Sequence, residues 1–223
     1  MAGQAQRVRD VIVRAAPPGN RAGASTVTAS DVEFVPVAGV LLAAGAGRRY
    51  GMPKALVGEG EWLRRAVGAL VEGGCDPTVV VLGAAADRVA PLVPAGARVV
   101  VAPDWDEGMG ASLRAGLAAL GGDVGRDVDA ALMHLVDLPD VGAGVIRRML
   151  ARAASGVAVP VVVARAQFGG RPGHPVLLGR DHWDAVAAAA SGDRGARDWL
   201  AGRSDLVLVD CTDLATGADV DRR

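Results

Sequence analysis

The sequence predicts a three-layer α/β domain, a mostly parallel β-sheet between two layers of helices. Three observations carry that expectation. Short apolar runs of strand length alternate with amphipathic stretches of helical length, the rhythm of βαβ units. The first runs are continuously apolar, as strands buried on both faces are. Glycine pairs stop the helical stretches, as at Gly73-Gly74 and Gly121-Gly122.

The elements follow in order from residue 37. Val37–Ala43 reads as a buried strand running into Gly45. Glu61–Glu72 places Leu63, Ala66, Val67, Leu70 and Val71 at helical spacing. Thr78–Leu82 is a strand, Ala84–Val93 a helix, Arg98–Val101 a strand and Met109–Leu120 a helix. Asp129–Val136 is a strand, Ala143–Ala154 a helix and Val157–Val163 a strand. The pattern then loosens into a glycine-rich segment, Phe168–Gly173, and a short run, Pro175–Leu178. Two helices, Asp181–Ala190 and Asp193–Ala201, precede a last strand, Leu206–Val209. Residues 1–36, rich in Ala, Gly, Pro, Arg and Ser, read as a flexible extension or the product of an upstream start codon. Residues 37–223 form the folded domain.

Composition narrows the function. Half the chain is apolar, enough for a sizeable core, and no stretch reaches the roughly 18 apolar residues of a membrane span. Residues 1–20 lack the continuous apolar core of a signal peptide, so the expectation is a soluble, cytoplasmic protein. A formal net charge of −1, with Arg scattered among Asp and Glu, argues against nucleic acid or a membrane surface as partner. Cys75 and Cys211 have no Cys or His at metal spacing and read as small structural hydrophobes. Of the 24 Lys and Arg residues, Lys54 is the sole lysine, and it sits in the glycine-rich segment after the first strand. A position that stays Lys where Arg is otherwise used points to a need for a compact ammonium.

That segment, Leu42-Ala43-Ala44-Gly45-Ala46-Gly47-Arg48-Arg49-Tyr50-Gly51-Met52-Pro53-Lys54, carries the chemistry. Gly45, Gly47 and Gly51 let backbone N–H groups approach a phosphate. Arg49 offers bidentate hydrogen bonds to phosphate oxygens and Lys54 a point charge. A P-loop fails because Met-Pro-Lys follows Gly51. A dinucleotide fingerprint lacks its third glycine, where Tyr50 stands, although a Gly-x-Gly-x-x-x-Gly variant keeps that alternative open. In a doubly wound sheet ligands bind beyond the carboxyl ends of the strands, where the loops after Ala43 and Val136 and the turn before Met109 should meet. Asp137 there suits Mg²⁺, which prefers one or two carboxylates plus phosphate oxygens and water; a cap or turn residue before Pro139 is the lesser alternative. Ser112 and Arg114 at a helix start, and His174 in a Gly/Pro-rich loop, divide between ligand contact and ordinary turn or surface roles. Trp105, Trp183 and Trp199 read as packing residues.

The chain resembles the MobA-like nucleotidyltransferases, particularly the molybdenum cofactor cytidylyltransferase branch. The resemblance starts with the Leu42–Lys54 segment. It continues through Gly108-Met109-Gly110-Ala111-Ser112-Leu113-Arg114, Asp137-Leu138-Pro139, Gly170-Arg171-Pro172-Gly173-His174-Pro175-Val176-Leu177 and Gly192-Asp193-Arg194-Gly195-Ala196-Arg197. It implies a Rossmann-like nucleotidyltransferase fold, and a reaction in which a phosphate of a small acceptor such as molybdopterin attacks an NTP, CTP favoured over GTP, and expels pyrophosphate. By this resemblance Arg49, Lys54 and Asp137 are catalytic, and Asp137 holds Mg²⁺. Leu42, Ala43, Ala44, Gly45, Gly47, Arg49, Lys54, Ser112 and Arg114 bind the nucleotide, and His174 faces the acceptor. Contact with a molybdoenzyme or its chaperone is a further implication.

Three positions depart from the family pattern. Ala215 stands where the family's Asp-x-Asp-Thr-Pro-x-Asp segment carries a second metal-binding carboxylate, Gly217 replaces the Pro, and Gly110 replaces a frequent Ser. Asp213 or Asp219 is then expected to supply the missing ligand, or water to complete the shell. Without it the chain would be a non-catalytic nucleotide-binding regulator. The Gly45-x-Gly47 pair motivates another alternative, an NAD(P)H-dependent oxidoreductase on the same scaffold.

Overall fold

The computed structural model describes residues 36–153 and 159–221. The expected extension over residues 1–36 therefore lies almost wholly outside the described residues.

Seven strands form one sheet: β1 (Val37–Leu42), β2 (Thr78–Leu82), β3 (Arg98–Val101), β4 (Ala130–Leu135), β5 (Val163–Phe168), β6 (Arg171–Gly179) and β7 (Val207–Asp210). Their order is β3-β2-β1-β4-β6-β5-β7, and β6 alone runs antiparallel to its neighbours, so the sheet is mostly parallel. β1 and β2 are buried along their whole length, as apolar runs between two helical layers must be.

Each face of the sheet has its own core. On one face Leu41 and Leu132 meet Leu63, Val67 and Leu70 of α1 (Glu61–Gly73), Val89 of α2 (Ala86–Val89), and Ile146 and Met149 of α4 (Ala143–Ala153). On the other, Val40, Val81 and Met133 meet Leu113, Leu117 and Leu120 of α3 (Met109–Gly121), Trp183 and Val186 of α5 (Trp183–Ala189), and Leu200 of α6 (Arg197–Ala201). Each fully buried Leu in these layers contributes about 1.5–3 kcal/mol of transfer free energy. Cys75 and Cys211 are free and buried, as small hydrophobes are. Among the described residues no helix is long and apolar enough to cross a membrane.

The structure revises the loosely patterned second half. The strand expected at Val157–Val163 begins at Val163: residues 157–158 are outside the described residues, and Val159–Val161 forms a 3-10 turn around Pro160, whose ring cannot donate to a ladder. The glycine-rich segment read as loop is instead the hairpin between β5 and β6. Arg171–Gly179 is one strand of nine residues. The expected Ala84–Val93 helix is one α turn followed by a 3-10 turn at Ala90–Leu92, where Pro91 ends the α pattern. The Asp193–Ala201 helix starts only at Arg197.

Candidate active site

The exit of β1 is pinned between its neighbours. Ala43 N–H donates to Val81 O (2.9 Å), Val136 N–H to Leu42 O (3.3 Å), and Ala84 N–H to Ala44 O (2.9 Å). The chain then reverses in a turn closed by Gly51 N–H to Gly47 O at 2.8 Å. Gly47 adopts φ +61°, and a Cβ there would stand 1.8 Å from the Met52 carbonyl oxygen, so the turn demands glycine. Pro53 starts the 3-10 segment Lys54–Gly60, which turns Lys54 toward the end of β4.

There Lys54 Nζ donates to Asp137 Oδ2 (2.7 Å) and Asp221 Oδ1 (3.0 Å), and Arg49 Nη1 donates to Asp221 Oδ2 (3.1 Å). The Lys54 side chain is 13% exposed and that of Arg49 78%. Burial pulls the Lys54 pKa down, but the hydrogen bonds to Asp137 and Asp221 more than offset it, so the pKa lies above that of ordinary lysine. Lys54 is therefore a desolvated positive charge, and Arg49 an exposed one at the rim, paired with Asp221.

The C-terminal segment crosses the end of β4 to bring Asp221 there. Val220 N–H donates to Asp137 O (3.2 Å), and Thr216 N–H and Oγ1–H donate to Asp140 Oδ2 (2.6 and 2.5 Å). Ala215 packs against the core and does not line the cavity. Asp213 is held in both its oxygens by Arg148 and likewise lies outside it. Asp219 lines the cavity, but Asp221 is the carboxylate that joins Asp137 on Lys54. Sequence reasoning missed Asp221 because it lies beyond the family segment that was searched for a ligand.

These groups open into a cavity of about 670 Å³ on the α3 side of the sheet. Leu42, Ala43, Ala44, Gly45, Gly47, Arg49, Lys54, Ser112, Asp137 and His174 all line it. A Cβ on Gly45 would meet nothing within 4 Å, so the glycine leaves open space at the wall. Arg114 stands apart: it donates to Ala190 O (2.8 Å) and Glu107 (2.7 Å), tying α3 to neighbouring segments, and does not line the cavity. Trp105 and Tyr50, read from sequence as packing or not singled out, are wall residues; the adjacency of Trp105 to Gly108 was the available signal. Burial, then the charges of Arg165 and Arg197 with His134 between them in strength, push the His174 pKa down to about 3, so its imidazole is neutral.

Two departures from the family pattern have local packing reasons. A Cβ on Gly110 would stand 2.7 Å from Ser191 N, so α3 meets the 190–192 segment only with glycine there. A Cβ on Gly217 would stand 2.1 Å from the Phe168 ring, leaving no room for proline.

The family model for the MobA-like NTP transferase domain matches residues 39–207. A protein described as nicotine blue oxidoreductase, from Paenarthrobacter nicotinovorans, is 40% identical over 207 residues, spanning 86% of this chain and 95% of its own. Among solved structures, Rv0371c from Mycobacterium tuberculosis H37Rv is 27% identical with a TM-score of 0.65, over 84% of this chain and 94% of that one. Rv0371c has also been solved as a complex with manganese, there at 24% identity and a TM-score of 0.62, over 83% and 94%. A nucleotidyl transferase from Methanothermobacter shares the fold at 23% identity and a TM-score of 0.64, over 84% and 92%.

Proposed function

This chain belongs to the MobA-like NTP transferase family, and we propose that it transfers the nucleoside monophosphate of an NTP, CTP favoured, to a small phosphorylated acceptor such as molybdopterin, releasing pyrophosphate in the cytoplasm. The observation that carries this reading is the convergence of Lys54, Asp137 and Asp221 at the mouth of β4, with Arg49 at the rim. Attack on the α-phosphate expels pyrophosphate, and the charge that builds on both groups calls for fixed cations rather than a covalent nucleophile. Lys54 is such a cation, desolvated and kept charged, and Arg49, exposed and paired with Asp221 at the rim, would meet the leaving phosphates. Leu42 to Gly45 and the Gly108–Ser112 turn flank the space for the base.

Asp137 and Asp221 fit a divalent cation. Among the described residues no three His, Cys, Asp or Glu side chains gather to hold one, so the remaining ligands would be phosphate oxygens and water, the shell Mg²⁺ prefers. When bound, Mg²⁺ supplies charge neutralisation on the phosphate oxygens. The experiment is pyrophosphate release from CTP, with and without Mg²⁺, in the presence of molybdopterin. Mg²⁺-dependent release supports the reading; none with CTP or any other triphosphate would sink it.

One observation favours a second reading. The 40% identical relative is described as an oxidoreductase, and Gly45-x-Gly47 suits a dinucleotide pyrophosphate. On that reading the cavity takes NAD(P)H, and its binding survives Lys54→Ala better than CTP binding does.

A further inference from the structure

Arg165 on β5 and Arg197 at the start of α6 both line the cavity, far in sequence from Lys54 and Arg49. Arg165 is half-buried, and its guanidinium is held by neutral groups: Nε donates to Gly173 O at 2.8 Å and Nη2 reaches Pro172 O at 3.4 Å. Among the described residues no carboxylate pairs with Arg165 or Arg197, whereas adjacent Arg194 is tied to Asp198. Burial lowers the Arg165 pKa first, and the Arg197 charge lowers it further. Burial first, and then the charge of Arg165 with smaller contributions from His134 and Arg197, keeps His174 neutral, so it can offer a hydrogen bond without adding a third positive charge.

Two like charges on one cavity, neither held by a carboxylate of its own although Asp106 and Asp193 also line the space, repel each other unless an anion enters. Bidentate guanidinium donors match the spacing of phosphate oxygens. We propose that Arg165 and Arg197, with His174, clamp a phosphate monoester where β5, β6 and α6 line the cavity. Two sources share that chemistry: the phosphate of the acceptor, or the 2′-phosphate of NADPH. Assigning it to the acceptor rests on the nucleotidyl-transfer reading; the clamp itself does not.

The test is calorimetric titration of the full chain with glycerol phosphate, and separately with CTP plus Mg²⁺, NADH and NADPH. Arg197 is exposed, so Arg197→Gln is the variant least prone to disturb folding; Arg165→Gln is the second. Arg197→Gln should weaken glycerol phosphate binding about tenfold or more, the scale of a lost charge-assisted pair, and weaken CTP binding much less. Lys54→Gln should do the reverse. Undetectable glycerol phosphate binding, binding indifferent to Arg197→Gln, or binding lost only with Lys54→Gln overturns the clamp. An NADPH preference over NADH that vanishes in Arg197→Gln supports the clamp with the dinucleotide as source; glycerol phosphate dependence without such a preference supports it with the acceptor. Failure of CTP to bind would count against nucleotidyl transfer and leave the glycerol phosphate result readable.

Discussion

Lys54 Nζ stands 2.7 Å from Asp137 Oδ2 and 3.0 Å from Asp221 Oδ1, joining two carboxylates 84 positions apart in the chain through the single lysine of the sequence. A compact ammonium donates to both at once, which a planar guanidinium fork would do in a different geometry. The lysine therefore organises the end of β4 before any substrate arrives. Lys54→Ala should lower turnover roughly 10²-fold or more, as loss of a charge at the transition state does. Steady-state kinetics check it, and unchanged turnover would remove Lys54 from the reaction.

Asp221 is expected to do the work that the family pattern gives to a carboxylate at 215. Asp221→Asn should raise the Mg²⁺ requirement about tenfold or more, the scale of one charge-assisted contact. Adding a carboxylate by Ala215→Asp in that background should not rescue it, because residue 215 packs against the core outside the cavity. Titrating activity against Mg²⁺ in the parent and the two variants decides; rescue would mean that the tail rearranges.

How much of this was legible in the sequence depended on the signal each part left. β1 to β4 and the helices α1, α3 and α4 were readable because apolar runs and helical spacing persist there, whereas Pro91 cut short the helix expected at Ala84–Val93. The β5–β6 hairpin was not, because Gly169, Gly170, Pro172 and Pro175 look like a loop. The structure tolerates them since β4 pairs with β6 only from Val176 onward and the β5–β6 register shifts between Arg165 and Gln167. Local motifs placed Lys54, Arg49 and Asp137 on one cavity. They could not place Asp221, whose role comes from a tail crossing the sheet, nor show that Arg114 turns toward Glu107 and Ala190.

His134 on β4 is fully buried, and neither ring nitrogen has a hydrogen-bond partner among the described residues. Burial pushes its pKa down to about 4 from 6.5. With the folded value below the unfolded one, stability is complete above pH 6.5 and falls as acid carries the chain from 6.5 toward 4. His134→Leu should flatten that decline and be neutral or stabilising at pH 7.5, since it also removes an unpartnered polar group. Melting temperatures between pH 7.5 and 5 provide the check; an unaltered slope would show that His134 is not the group responsible.

Gly110→Ser should cost about 1–3 kcal/mol, the range for overpacking, because its Cβ would press on the 190–192 backbone. Urea denaturation measures this. A variant as stable as the parent would mean that the segment moves away from α3 at little cost.

On the proposed reading the cavity takes a nucleoside triphosphate with a divalent cation held by Asp137 and Asp221. The most direct measurement is the thermal shift of the chain with CTP, GTP, ATP, UTP, NADH and NADPH, each with and without Mg²⁺. A shift with one triphosphate that requires Mg²⁺ and is lost in Lys54→Ala is the predicted result. A shift with NADH or NADPH alone, indifferent to Mg²⁺ and to Lys54→Ala, would contradict it.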